Sequence, residues 1–127
     1  MRVLIIVAHG SRKQDASLEL AALVRKLDAK AHPFDRITHA FLQFSGPFLP
    51  DVIESAVNEG ATQVVLFPFF IATGSHVLTD IPEAMAAAAK AHPSVEFSLT
   101  RHLGVAEGVG DLILGEVAAH LAEQDHA

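Results

Sequence analysis

The chain has 127 residues, of which half are hydrophobic, and its formal charge is −6. The scattered lysines and arginines exclude the basic surface of a nucleic-acid-binding protein, and the lack of cysteine excludes disulfides and thiolate-bound clusters. The longest apolar stretch, 64–72, is about half a membrane span. We therefore predict a single domain over residues 1–127, located in the cytoplasm, with neither a nucleic-acid nor a membrane partner.

Short β-type runs alternate with longer helical patterns along the chain, which is typical of βαβ units. The predicted elements, in chain order, are a strand at 3–8, a helix with an apolar stripe at 18–27, a strand at 36–43, a helix from 47 to 60, a strand at 63–70, a helix at 81–91, a strand at 95–100 and a helix at 109–122. We predict an α/β fold: a single three-layer domain whose four-stranded, mainly parallel sheet has helices on both faces.

Right-handed crossovers, with both faces of the sheet covered, favour the strand order 2-1-3-4. Strands one and three are then neighbours, and the connection reverses direction between them. Open α/β sheets bind ligands at such a point, beyond the carboxyl ends of the strands. His9 follows strand one and His76 follows strand three, so we expect both histidines at this edge.

Each of these histidines lies in a segment that contains glycine and serine, and the imidazole nitrogen binds cobalt, nickel, iron and zinc. We predict an open metal site, because two protein ligands leave positions for water or a substrate. A hydrogen-bonded loop residue is the alternative reading of either histidine. A histidine phosphatase is a rival class, but its nucleophilic histidine normally follows an arginine, and Ala8 stands in that position here.

Phenylalanines are predicted to form the walls of this edge. Phe44 and Phe48, in a loop with serine, glycine and proline, are expected to provide a platform for a flat, apolar ligand. Phe67 and Phe69 point the same way on strand three, so core packing is the expected role for them.

Polar residues near the same edge are further candidates for capping or for substrate binding. Asp80 precedes Ile-Pro-Glu and is predicted to cap the helix that follows, or to orient His76 through its carboxylate. Ser11 is predicted to cap the first helix, and Arg12 to attract an anionic substrate or to be an ordinary first-turn residue. His102 follows strand four on the ligand side.

Four segments, taken together, resemble the small, single-domain class II sirohydrochlorin chelatases, including the cobaltochelatase of anaerobic cobalamin synthesis. These segments are residues 8–12 (AHGSR), 40–42 (AFL), 65–70 (VLFPFF) and 74–82 (GSHVLTDIP). They span most of the chain in the same order as in the family. The resemblance implies a chelatase-like half-domain and a homodimer that is similar to the two halves of longer relatives.

The resemblance also implies an activity. The chain would be a lyase that inserts a divalent metal into sirohydrochlorin, with His9 and His76 as metal ligands and catalytic residues and without an organic cofactor. Cobalt is the expected metal, with iron or nickel as alternatives, and a carrier of metal or tetrapyrrole is the non-enzymatic alternative. Relatives commonly have an acidic residue where this chain has Gln43. The residues expected to line the substrate site are Ser11, Arg12, Phe44, Phe48, Gly74, Ser75, Asp80 and His102.

Overall fold

The computed structural model describes residues 1–125, except for the side chains of Ser75, His76 and Leu78. The predicted alternation of strands and helices is confirmed. The strands are β1 (Arg2–Ala8), β2 (Arg36–Phe41), β3 (Gln63–Pro68) and β4 (Glu96–Leu99). The α-helices are α1 (Gln14–Asp28), α2 (Leu49–Asn58), α3 (Ser75–Ala91) and α4 (Val109–Asp125), and a short 3-10 turn at Leu103–Val105 precedes α4.

The sheet has the predicted order β2-β1-β3-β4, and all of its strand pairs are parallel. Ala8 at the end of β1 is the partner of Phe41 at the end of β2, and Val7 is the partner of Pro68 at the end of β3. The three strands therefore end at the same edge, and the loops that follow them meet there.

Helices cover both faces of the sheet. One core cluster includes Ile5 and Leu66 of the strands, Ile53 of α2 and Ile81 of α3. The other face carries α1, whose Leu20 and Val24 pack with strand residues in a second cluster. Helix α4 has no buried residue and packs mainly against the short turn that precedes it. None of the helices within residues 1–125 combines the length and the apolar character needed to cross a bilayer.

The predicted start of α3 is wrong. Helix α3 begins at Ser75, with Gly74 in the N-cap position, and it continues through Pro82. Asp80 therefore lies inside the helix and is not its N-cap. The backbone φ of proline suits a helix, so a proline can lie inside a helix at the cost of one hydrogen bond. Pro82 does so here and does not mark the first turn of α3.

The starts of α1 and α2 also differ from prediction. Helix α2 begins at Leu49 and carries Pro50 in its first turn, whereas Pro47 belongs to the loop and its carbonyl accepts the N–H of Phe41 at 2.8 Å. Helix α1 begins at Gln14, so Ser11 is not its N-cap. The Ser11 hydroxyl instead accepts the backbone N–H of Lys13 at 3.0 Å, just before the helix.

Candidate metal centre

The chain turns sharply after β1, and Gly10 makes this turn possible. Its φ is +107°, which L-residues rarely adopt, and a Cβ atom at this position would lie 1.9 Å from the carbonyl oxygen of Gln43. No side chain fits between the two backbones. The turn leaves His9 exposed at the edge of the sheet, directly beside the loop that follows β2.

Hydrogen bonds to backbone carbonyls connect the loop between β2 and α2, residues 42–48, to the segment that carries His9. The N–H of Gln43 donates to the carbonyl of His9 at 3.1 Å. The hydroxyl of Ser45 donates to the carbonyl of Ser11 at 3.1 Å. The position of this loop therefore depends on backbone bonds to the His9 segment and on the Ser45 hydroxyl, and not on the side chains of Gln43 and Phe44.

The side chain of Gln43 contacts the His9 ring. The amide Nε2 of Gln43 lies 2.5 Å from Nε2 of His9. In this orientation the amide N–H can donate to Nε2 when the ring carries its hydrogen on Nδ1. A metal ion that binds Nε2 must move the amide group aside or bind next to its carbonyl oxygen. Gln43 therefore controls access to the nitrogen that is the candidate ligand.

The Gln43 contact was not predicted, although the sequence contained a signal for it. Strand order 2-1-3-4 places β1 beside β2, and the observed register pairs Ala8 with Phe41. Counting one or two residues beyond this pair reaches His9 on one strand and Gln43 on the other. A register assignment in addition to the strand order would have predicted their proximity.

Two phenylalanine rings lie edge-on to the His9 ring. Their centroids are 6.1 Å away for Phe44 and 6.4 Å away for Phe70. Phe44 has a φ of +73°, in the left-handed region that costs most residues about 1–2 kcal/mol, and half of its surface is exposed. Its ring therefore stands at the sheet edge beside His9, where a ligand platform was predicted.

Arg12 lies against the same phenylalanine. Its guanidinium carbon is 5.1 Å from the centroid of the Phe44 ring, within the range of a cation–π interaction. Phe48 is 40% exposed and forms the last residue of the loop, where it makes a bridge to Phe41. The edge thus presents a cation and two exposed aromatic rings. Phe67 and Phe69, by contrast, pack partly buried against the α1 cluster, which confirms a core role for them.

The second predicted histidine belongs to the first turn of α3. His76 is the second residue of that helix, and the helix follows β3, which neighbours β1. The side chains of His76 and Ser75 lie outside what the structure describes. The convergence of the His9 and His76 rings therefore stays a prediction. Gly74, the N-cap residue before Ser75 and His76, is not closely packed, since a Cβ at this position would meet no atom within 4 Å.

Two other predicted residues belong to α3 or lie beside it. Asp80 is exposed and lines a surface cavity of about 350 Å³ together with Leu42, which is in the loop next to His9. His102 lines a cavity of about 160 Å³ that is bordered by Val77 and Ile81 of α3. The fold brings both residues to the first half of α3, at the same edge of the sheet.

Among the described side chains, no group of three or more histidine, aspartate or glutamate residues is placed to hold a metal ion. His9 is accordingly not part of a closed site built from those residues alone. A metal bound to its Nε2 would keep positions for other donors, as an open site requires.

The CbiX family model matches residues 3–119 of the chain. The chloroplastic sirohydrochlorin ferrochelatase of Arabidopsis thaliana is 35% identical over 101 residues, which cover 80% of this chain and 44% of that protein. A sirohydrochlorin cobaltochelatase of Methanococcus maripaludis is 29% identical over 85 residues, which cover 67% of this chain and 58% of that protein.

A similar fold occurs in the crystal structure of the sirohydrochlorin chelatase SirB from Bacillus subtilis subspecies spizizenii in complex with cobalt. The TM-score is 0.79 at 29% identity, and the match covers 93% of this chain and 50% of that one. These three matches cover between 44% and 58% of the relatives' own lengths.

Proposed function

Because the chain belongs to the CbiX family, we propose that it is a sirohydrochlorin chelatase, a lyase that inserts a divalent metal ion into the macrocycle. The observation that carries the proposal is the exposed His9 ring at the carboxyl edge of β1, with Gln43, Phe44 and Arg12 around it. An imidazole ligand, an aromatic surface and a cation are the groups that this reaction requires.

Metal insertion exchanges one divalent cation for two pyrrole protons. His9 and His76 hold the metal ion as a substrate, through neutral imidazole nitrogens that leave room for the macrocycle nitrogens. When the metal leaves Nε2 of His9, that nitrogen is free to accept one of the two displaced protons. No organic cofactor takes part in this scheme, and water accepts the second proton.

The macrocycle is flat, apolar at its centre and carboxylated at its periphery. Phe44 and Phe48 offer exposed rings to its face, and Arg12 offers a guanidinium to a carboxylate. This local cation matters because the chain has a net charge of −6, which by itself repels an anionic substrate. The other predicted lining residues are Ser11, Gly74, Ser75, Asp80 and His102.

We propose cobalt as the metal, with iron or nickel as alternatives. Relatives are named for both iron and cobalt, so family membership alone does not select one of them. Imidazole ligands discriminate poorly among these ions, and the supply of metal in the cell then contributes to the choice. The neutral amide of Gln43, next to the ligand nitrogen, adds no charge that would favour a harder cation.

We also propose that the chain acts as a homodimer. It spans 44% of the Arabidopsis ferrochelatase and 50% of SirB, so two copies supply as many residues as one of those longer chains. A cytoplasmic location stays a prediction.

The experiment that tests the activity is anaerobic absorbance of sirohydrochlorin mixed with cobalt, nickel or ferrous iron. We expect metal-specific spectral conversion by the unaltered protein and its loss in His9→Ala and His76→Ala. His32→Gln is the matched control, because His32 lies between α1 and β2, at the opposite edge of the sheet. If the protein binds both metal and sirohydrochlorin but conversion is no faster than in protein-free mixtures, the protein is a carrier and not an enzyme.

A further inference from the structure

The basic residues of the chain are divided between the two edges of the sheet. Two thirds of them lie at the amino edge, at strand starts or near helix ends: Arg2, Arg25, Lys26, Lys30, Arg36 and Lys90. The others follow strand ends at the carboxyl edge, Arg12 and Lys13 after β1 and Arg101 after β4. Because the chain has a net charge of −6, an anionic substrate at the carboxyl edge depends on these local cations.

Arg101 lies on the opposite side of the candidate metal centre from Arg12. In the order β2-β1-β3-β4, β3 separates β1 from β4. Neighbouring strands are about 4.8 Å apart, so β4 ends about 10 Å from β1. His9 follows β1, and the first turn of α3, which carries His76, follows β3. A flat macrocycle placed over these two strand ends therefore has Arg12 on one side and Arg101 on the other.

Beside Arg101 there is a cavity of about 160 Å³ between the end of β4 and the first half of α3, which we call the β4 cavity. Its polar lining residues are Thr73, Thr100, Arg101 and His102. No carboxylate lines it, and the rest of its wall is proline, valine, isoleucine and leucine. The neighbouring cavity, on the α2 side of α3, is lined by Asp80 and Glu83. An anionic group therefore suits the β4 cavity and is repelled by its neighbour.

The polar groups of the β4 cavity are available to a ligand. Among the described side chains, no ion pair or hydrogen bond uses the guanidinium of Arg101, the ring of His102 or the hydroxyl of Thr73. The Thr100 hydroxyl, by contrast, donates to the carbonyl of Arg101 at 3.0 Å. Helix α3 begins beside the cavity and its N-cap Gly74 makes no side-chain cap, so the N–H groups of its first turn add to the attraction for an anion.

Main-chain hydrogen bonds hold the segment after β4 in place. The N–H of Thr100 donates to the carbonyl of Leu66 at 3.0 Å, which continues the pairing of β4 with β3. The N–H of Gly104 donates to the carbonyl of Phe70 at 2.9 Å, in the loop after β3. Residues 101–102 lie between these two bonds. Substitution of their side chains therefore leaves the backbone around the cavity in place.

We propose that the β4 cavity binds one of the carboxylate arms at the periphery of the macrocycle. The Arg101 guanidinium makes a charge-assisted bond to the carboxylate, and His102 and Thr73 donate further hydrogen bonds. The cavity has room for several water molecules, which suits a short acid arm. This inference rests on the chelatase function proposed above. With Arg12 at a second arm, the macrocycle is held on two sides, and this fixes its orientation over His9.

Fluorescence titration of metal-free sirohydrochlorin with the full chain tests the proposal without turnover. We expect the Kd to rise about tenfold in Arg101→Gln, because a charge-assisted bond is lost, and Arg101→Lys to recover part of the affinity. His102→Leu removes a neutral donor, so we expect a smaller rise of about threefold. Lys90→Gln is the matched control, since it removes the same charge at the amino edge, and its Kd should stay within about twofold of the unaltered value.

The salt dependence of the Kd separates a bound carboxylate from a structural role of Arg101. We expect the Kd to rise less steeply with salt in Arg101→Gln than in the unaltered chain, because one screened contact is missing. Cobalt binding measured by calorimetry should be equal in both proteins, since Arg101 is not a metal ligand. Weaker cobalt binding in Arg101→Gln, or an unchanged Kd and salt dependence, would overturn the carboxylate site. Arg101 is exposed, so this variant decides the question even if His102→Leu fails to fold.

The outcomes for the carboxylate site and for the chelatase function are distinguishable. No binding of sirohydrochlorin to the unaltered chain would overturn both. Metal insertion by the unaltered chain, together with binding that is insensitive to Arg101, would overturn the carboxylate site alone. Binding that depends on Arg101 without metal insertion would overturn the chelatase function and support the site as part of a tetrapyrrole carrier.

Discussion

Gly10→Ala is expected to damage both the stability of the fold and the position of His9. Gly10 and Gly60 have the same φ of +107°, but a Cβ at Gly60 would meet nothing within 4 Å, whereas a Cβ at Gly10 would lie 1.9 Å from the Gln43 carbonyl oxygen. Gly60→Ala is therefore a matched control that introduces the backbone strain without the collision.

The difference between the free energies of unfolding of the two variants measures the cost of the collision. Strain alone is expected to lower the free energy of unfolding by about 1–2 kcal/mol in Gly60→Ala. In Gly10→Ala the loop must also move away, which breaks the 3.1 Å hydrogen bond from the Gln43 N–H to the His9 carbonyl. Loss of this bond and of the packing around it adds about 1–3 kcal/mol.

Chemical denaturation monitored by circular dichroism measures both values, and the metal-insertion assay is run on the same samples. We expect Gly10→Ala to be the less stable variant and to lose most of its activity under conditions in which it is fully folded, while Gly60→Ala keeps its activity. Equal free energies of unfolding for the two variants would refute the argument that the two loops touch through their backbones at Gly10.

Four other substitutions give separable outcomes. Phe44→Gly is expected to raise the free energy of unfolding by about 1 kcal/mol, because glycine adopts a left-handed φ without strain. The same variant is expected to raise KM for sirohydrochlorin. An unchanged KM would contradict the role of Phe44 as a ligand platform. Arg12→Ala is expected to raise KM for sirohydrochlorin about tenfold, since it removes a charge-assisted contact. Steady-state kinetics measures this change, and an unchanged KM would contradict it. Gln43→Glu places a carboxylate beside Nε2 of His9, and we expect it to increase the affinity for cobalt, measured by calorimetry, by about tenfold. An equal or weaker affinity would show that residue 43 does not influence metal binding at His9. Burial lowers the pKa of His39, so the unfolded chain binds the proton more readily, and the free energy of unfolding should fall as the pH drops below about 6.5. Denaturant titrations from pH 5 to 7.5, about the usual range in which histidine titrates, measure this effect. The free energy of unfolding should decline less in His39→Gln than in the unaltered chain. Identical pH profiles would exclude His39 as the source of the pH dependence.

The sheet was predictable because its strands are buried on both faces. Val3, Ile5 and Val7 of β1 are fully buried, as the continuous apolar run indicated, and the crossover rule then fixed the order β2-β1-β3-β4. Helix starts were less predictable, since the sequence around Pro82 suits both the first turn and the interior of a helix. The start at Ser75 depends on how the chain leaves β3, which local pattern does not encode.

The sequence predicted which side chains lie at the carboxyl edge of the sheet, but not how they contact one another. The carboxyl edge followed from topology, where the Phe44 ring lies beside His9 and Arg12 lies against Phe44. The left-handed conformation of Phe44 could not be anticipated, because phenylalanine carries no preference for it and the surrounding backbone imposes it. The exposure of α4 was not predicted either, because the sequence pattern alone does not show which helices the rest of the chain covers.

The main-chain attachment of the loop at 42–48 has an evolutionary consequence. Its bonds to the His9 segment use the backbone N–H of Gln43, which any residue other than proline provides. The side chain at this position is therefore free to mutate between amide and carboxylate while the loop keeps its place. A single substitution at this position would therefore change the donor atoms beside Nε2 of His9 without removing the backbone bond that holds the loop in place.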